Sequence, residues 1–85
     1  MTYRVVYSTK AKRDMAGLTA LRRQAVLQAE RGPLAQRSLQ VGKEFEGSGP
    51  GALRRLALAD AGVSIAYRVY TDRVEVELVW LLGWP

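Results

Sequence analysis

The sequence predicts an α+β domain. An N-terminal strand and two helices precede a three-stranded antiparallel meander, and all the strands join in one four-stranded sheet with the helices on one face. Three observations carry this reading. Apolar residues between Ala11 and Ala29 recur at spacings of three and four, as on a helix, whereas after Gly51 they recur at two, as on a strand. Hydroxyl residues stand where two helices start, and Gly32-Pro33 stands where the second must stop. Val74–Leu82 ends apolar on both faces, as a central strand covered on both sides requires.

The first element is "TYRVVY" (Thr2–Tyr7), with Tyr3, Val5 and Tyr7 on one face and Arg4 and Val6 on the other. Ser8 or Thr9 caps a short helix whose stripe is Ala11, Met15 and Leu18, and Gly17 weakens its end. Thr19 caps a second helix over Ala20–Arg31, with Leu21, Ala25, Val26 and Ala29 apolar and Arg22, Arg23, Gln24 and Gln28 wet. "PLAQRSLQV" has room for one more helical turn, and "GKEFEGSGPG" reads as loop because glycine and proline fill half of it. Three strands follow: Ala52–Ala59, Val63–Tyr70 and Val74–Leu82, joined by turns at Asp60-Ala61-Gly62 and Thr71-Asp72-Arg73. By alternation Val74, Val76, Leu78, Trp80 and Leu82 share one face of the last strand, opposite Glu75, Glu77, Val79 and Leu81.

The 85 residues fit one domain spanning 1–85. There is no cysteine, which excludes disulfides and thiolate metal sites and points to a reducing cytoplasm. There is no histidine, which removes the commonest general base and metal ligand. No signal peptide is expected, and no apolar run is long enough to span a membrane. The net charge is +5, and ten of the thirteen basic residues are arginine. Residues 1–42 carry a net +6 and residues 43–85 a net −1. Nucleic acid, the ribosome and an acidic protein are the partners that such charge favours.

Arg54 and Arg55 are adjacent on a strand, so they face opposite ways. Leu56 and Leu58, in register with Arg54, make the bulkier face and hence the core face. Arg54 then lies at the edge of the core with its guanidinium in water. Arg55 stands on the open face beside Ala57 and Ala59, accessible to a phosphate. Arg68 shares a face with Ser64, Ala66 and Tyr70.

"YRVVYSTKAKRDMAGL", a basic second helix, a glycine-bearing loop and "LRRLALADAGVSIAYRVYTDRVEVELVW" together resemble the RelE/ParE superfamily of bacterial toxins. The resemblance implies a compact α+β toxin encoded beside, and neutralised by, an antitoxin in a type II toxin-antitoxin module. RelE-type members cut mRNA in the ribosomal A site, which makes ribosome and mRNA the implied further partners. ParE-type members inhibit DNA gyrase instead, and a degenerate member that mainly binds its antitoxin is a third outcome. Arg55, or Arg54 with a one-residue slip, matches a basic position on the first meander strand. Ala57 occupies the second such position, Ser64 the place of a common arginine, and Trp84-Pro85 the place of a basic pair after Gly83.

Cleavage of RNA by its 2′-hydroxyl needs a proton acceptor, a proton donor and cations on the phosphorane. Arginine holds its proton too tightly to serve as a convenient base. Lys10, Lys12 and Lys43 serve only if their pKa values are depressed. Tyr67 and Tyr70 can donate, and Glu75 or Glu77 can accept. The catalytic set expected on this reading is Arg55, Arg68, Tyr67 and Tyr70. The nucleic-acid surface is Arg54, Arg55, Arg68, Arg73 and Lys43, since arginine binds phosphate in a bidentate manner. The sequence holds no metal-ligand cluster, phosphate loop or serine triad, so neither metal nor cofactor is expected. The surface expected to meet an acidic antitoxin is Lys10, Lys12, Arg13, Arg22 and Arg23 on the two helices.

Overall fold

The computed structural model describes residues 2–49 and 51–84. Strand β1 (Arg4–Tyr7) leads into helix α1 (Thr9–Gly17), where the Ser8 Oγ accepts from the Ala11 N–H at 3.0 Å. Helix α2 (Ala20–Arg31) starts at Thr19, whose Oγ1 accepts from the Arg22 N–H, and stops at Gly32. Two short turns follow where one was expected: α3 (Pro33–Gln36) and α4 (Ser38–Val41). Then come β2 (Lys43–Glu46), β3 (Leu53–Leu58), β4 (Val63–Tyr70) and β5 (Glu75–Gly83). The strands form one sheet in the order β1-β5-β4-β3-β2, with β1 parallel to β5 and every other pair antiparallel.

The sheet therefore has five strands rather than four. "KEFE" is not loop but an edge strand, with Lys43 opposite Arg55 and Glu44 opposite Arg54. The glycines that argued against an element flank it instead. Gly47, Gly49 and Gly51 have positive φ and turn the chain from β2 to β3. The last strand begins one residue late because Val74 closes the preceding turn at φ 50°, with its carbonyl accepting from the Arg4 N–H.

A bulge in β5 redirects half of that strand. Tyr67 faces Leu78, but the preceding Ala66 faces Trp80, so Val79 is an extra residue with no partner on β4. Alternation changes phase there. Val76, Leu78 and Leu81 point into the core, while Trp80 and Leu82 share the open face with Glu75 and Glu77. This corrects the strict alternation, which put Trp80 and Leu82 with Val76.

The bulge is held from α1. Strand β1 ends at Tyr7, opposite Leu78, and cannot pair with β5 beyond that point. The Ser8 hydroxyl donates to the Val79 carbonyl (2.7 Å), and Asp14 Oδ2 accepts from the Leu81 N–H (3.0 Å). "YSTKAKRD" thus caps its own helix with Ser8, buries Ala11 against the sheet and stitches β5 with Ser8 and Asp14. Tyr7 adds a tie to α2 by donating to Glu30 at 2.6 Å. Burial and then the Glu30 bond push its phenol well above the usual range.

The core lies on one face only. Leu56, Leu58, Val63, Ile65 and Tyr67 join the inward residues of β5 against Ala11, Val26, Ala29 and Leu34. Each fully buried large aliphatic contributes about 1.5–3 kcal/mol.

Leu81 is buried, so removing the partner of its N–H leaves an unsatisfied donor. Asp14→Ala is expected to cost about 1–3 kcal/mol in a urea titration. Asp14→Asn keeps an acceptor and should cost less. An unchanged midpoint for Asp14→Ala would contradict the stitch.

Candidate nucleic-acid interface

The helices cover one face of the sheet, and the other is open. Cross-strand pairing sorts its side chains into rows. One row runs Lys43, Arg55, Ala66 and Trp80 across β2, β3, β4 and β5. The next holds Arg68, Glu77 and Val6, and the third Tyr70, Glu75 and Arg4. Arg55 and Arg68 therefore share the open face, in neighbouring rows.

The third row and its surroundings are electrostatically closed. Glu75 accepts from Arg4 Nη2 at 2.6 Å and from Arg73 Nε at 3.1 Å. The Arg4 bond first, and Arg73 after it, hold the Glu75 carboxyl below its ordinary range. The Arg73 guanidinium lies 4.0 Å from the centre of the Tyr70 ring, a cation–π contact. The Tyr70 hydroxyl donates to Glu77 at 3.1 Å. Desolvation first, then this bond, push the Tyr70 pKa up, so the phenol stays protonated at neutral pH.

The first row is not closed. Lys43 and Arg55 are exposed and stand directly opposite one another, a like-charge arrangement that disfavours the sheet. Among the described residues, neither has a carboxylate within ion-pair distance. Glu44, the nearest acid in sequence, accepts from the Gly49 N–H at 2.9 Å. A shallow groove of about 470 Å³ lies beside the pair, with Phe45 and Ala57 in its lining. Phe45 meets Trp80 edge-to-face, with ring centres 6.1 Å apart and an interplanar angle of 71°. An anion between Lys43 and Arg55 would relieve their repulsion, and the guanidinium of Arg55 supplies the fork geometry that phosphate matches.

Several expected site residues are placed elsewhere. Tyr67 lies on the core face, fully buried, with its hydroxyl donated to the Ser38 carbonyl at 2.7 Å. A side chain at Gly42 would run into its phenol ring. Tyr67 is thus a packing residue, turned away from the open face by the alternation that turns Arg68 toward it. Arg54 does not reach water freely. Its Nη2 donates to the Leu39 and Gly42 carbonyls at the end of α4, at 3.0 and 2.6 Å. Arg68 is half-buried and donates from Nη1 to the Gly51 carbonyl at 2.8 Å, fixing the turn between β2 and β3. Ala57 is exposed on the open face and Ser64 is buried there.

On the helices, Lys12 and Arg13 are exposed, while Lys10 pairs with Asp14 and Arg23 donates to the Leu18 carbonyl. Arg22 leaves the expected antitoxin surface. It donates to the carbonyls of Ala61 and Trp84, with Gly62 and Gly83 packed close against it. Trp84 donates its N–H to Gly62, and Pro85 lies outside the described residues. No group of three potential ligands that could hold a metal ion occurs among the described residues. Among the described residues, no helix is long and apolar enough to cross a membrane.

No family model matches the chain, and no curated protein matches it. Solved structures do. A chain of the RelBE2 toxin-antitoxin complex of Mycobacterium tuberculosis superposes with a TM-score of 0.86 at 23% identity, covering 99% of this chain and 93% of that one. This chain has the RelE toxin fold. The archaeal RelE-RelB complex of Pyrococcus horikoshii gives a TM-score of 0.72 at 22% identity, over 98% of this chain and 96% of that one. The isolated E. coli RelE toxin gives 0.79 at 16%, over 98% and 85%. The RelE fold here carries its unopposed cations on the sheet face away from the helices.

Because the folded pKa of Glu75 is depressed, its ion pairs stabilise the fold above the unfolded value of about 4.3 and lose that effect as pH falls through the folded value. Glu75→Gln should therefore lower the urea midpoint at pH 7, and the gap to the parent should close below about pH 4. A gap that is constant from pH 7 to pH 3 would contradict this pairing.

Proposed function

We propose that this chain is the toxin of a type II toxin-antitoxin module and that it stops translation by cutting mRNA on the ribosome, with the open sheet face as its RNA surface. The observation that carries the reading is the unopposed Lys43–Arg55 pair on that face of a RelE-fold sheet. A pair of like charges kept at a cost is explained by an anionic ligand. The toxin role itself draws on the likeness to RelE toxins solved with RelB antitoxins. Its place of action on this reading is the cytoplasm.

In the proposed reaction the 2′-oxygen attacks the adjacent phosphorus and the bond to the 5′-oxygen breaks. The products are a 2′,3′-cyclic phosphate and a 5′-hydroxyl. Arg55 and Lys43 hold the phosphate, and Arg68 supports them with the donors that Gly51 leaves unused. Glu77 and Tyr70, one and two rows away and hydrogen-bonded to each other, are the groups on this face with the chemistry to take up and give a proton. Removal of one such cation from a phosphoryl transition state costs on the order of a hundredfold or more in rate. Lys12 and Arg13, exposed on α1, are suited to an acidic antitoxin by charge.

Induction of the protein alone, with mapping of mRNA 5′ ends and DNA supercoiling, tests the reading. The expected result is growth arrest with new mRNA ends that disappear in Arg55→Ala. Arrest with intact mRNA and altered supercoiling would overturn it in favour of gyrase. Unimpaired growth would leave only an antitoxin-binding protein.

A further inference from the structure

Phe45 and Trp80 have no part in the chemistry above, yet both stand on the open face. Phe45 is 47% exposed, an unfavourable place for a phenyl ring without a ligand. Strands β2 and β5 are three places apart in the sheet, about 14 Å at the usual spacing. Their two rings are nevertheless only 6.1 Å apart. Both side chains must therefore lean inward across β3 and β4. Ala66 lies between them in the first row and is 0% exposed although it is on the open face. Beneath the ring pair the sheet offers the small side chain of Ala66, and Trp80 contacts Phe45 from the β5 side.

We propose that Phe45, propped by Trp80, is a stacking platform for a base of single-stranded RNA whose phosphate sits on Lys43 and Arg55. This rests on the RNA reading of the same face. Phe45 is two residues from Lys43, at a bulge in β2 where it has no partner on β3, and lies within about 7 Å of it along the chain, the scale of one nucleotide. A ring beside two unopposed cations matches the alternation of base and phosphate in a single strand. Every base offers a π-face, so the platform takes nucleotides without strict sequence choice and favours those that stack best.

The test uses Trp84→Phe protein, in which Trp80 is the sole tryptophan. It is titrated at low salt with a 2′-O-methyl oligoadenylate hexamer and with an abasic hexamer carrying the same phosphates. The expected result is quenching of Trp80 emission by the oligoadenylate, with the abasic strand binding roughly five- to a hundredfold more weakly. Phe45→Leu should lower oligoadenylate affinity to the abasic level, and Arg55→Ala should weaken both strands. Equal binding of the two strands to protein with Phe45 intact overturns the platform and leaves the phosphate site standing. Binding of neither strand overturns both readings. Phe45→Leu that weakens the antitoxin complex but not RNA binding assigns the patch to a protein partner and overturns the proposal. The comparison of the two strands needs no Phe45 variant, so it decides the matter even if that variant fails to fold.

Discussion

Strand β1 has four residues and β5 has nine, and the two run parallel from their first residues. The far half of β5 thus has β4 on one side and no strand on the other. Buried backbone groups left unpaired there would each cost on the order of 1–3 kcal/mol. Helix α1 solves this with side chains. Ser8 takes the Val79 carbonyl and Asp14 takes the Leu81 N–H. The extra residue at Val79 lets β5 present those groups to α1 while staying paired with β4. The dependent features follow from it: Leu81 enters the core, Trp80 and Leu82 leave it, and Trp80 comes within reach of Phe45.

The open face that results has two electrical halves. Near β1, Arg4 and Arg73 share the Glu75 carboxylate, and Tyr70 is held between Arg73 and Glu77. Toward β2, Lys43 and Arg55 have no such partner among the described residues. The first half holds carboxylates and a protonated phenol that are hydrogen-bonded or ion-paired to one another, and the second holds two exposed cations.

Much of this was legible in the sequence where one signal sufficed. Thr19 and Gly32 bound α2, and the span Val63–Tyr70 matched β4, because caps and alternation are local. The choice between Arg54 and Arg55 also followed from local bulk, since Leu56 and Leu58 do face the core. Four features were not legible. β2 was hidden because a short edge strand between glycines looks like a loop until its partner β3 is known. Trp80 was put on the wrong face because one extra residue shifts alternation and leaves no local mark. Tyr67 could not be told from a catalytic phenol, since its partner, the Ser38 carbonyl, is 29 residues away. Arg22 and Arg54 read as surface charges for the same reason, as both end on carbonyls distant in sequence.

The most direct test of this account is a measurement of which side of the sheet Trp80 occupies in solution. Proton–proton nuclear Overhauser spectra of the isotopically labelled protein would decide it. The bulge at Val79 predicts cross-peaks from the Trp80 indole to the Phe45 ring and none to Val26 or Leu34 in the core. Cross-peaks from the indole to Val26 or Leu34, with Leu81 in contact with solvent instead, would mean unbroken alternation through β5 and would contradict the account.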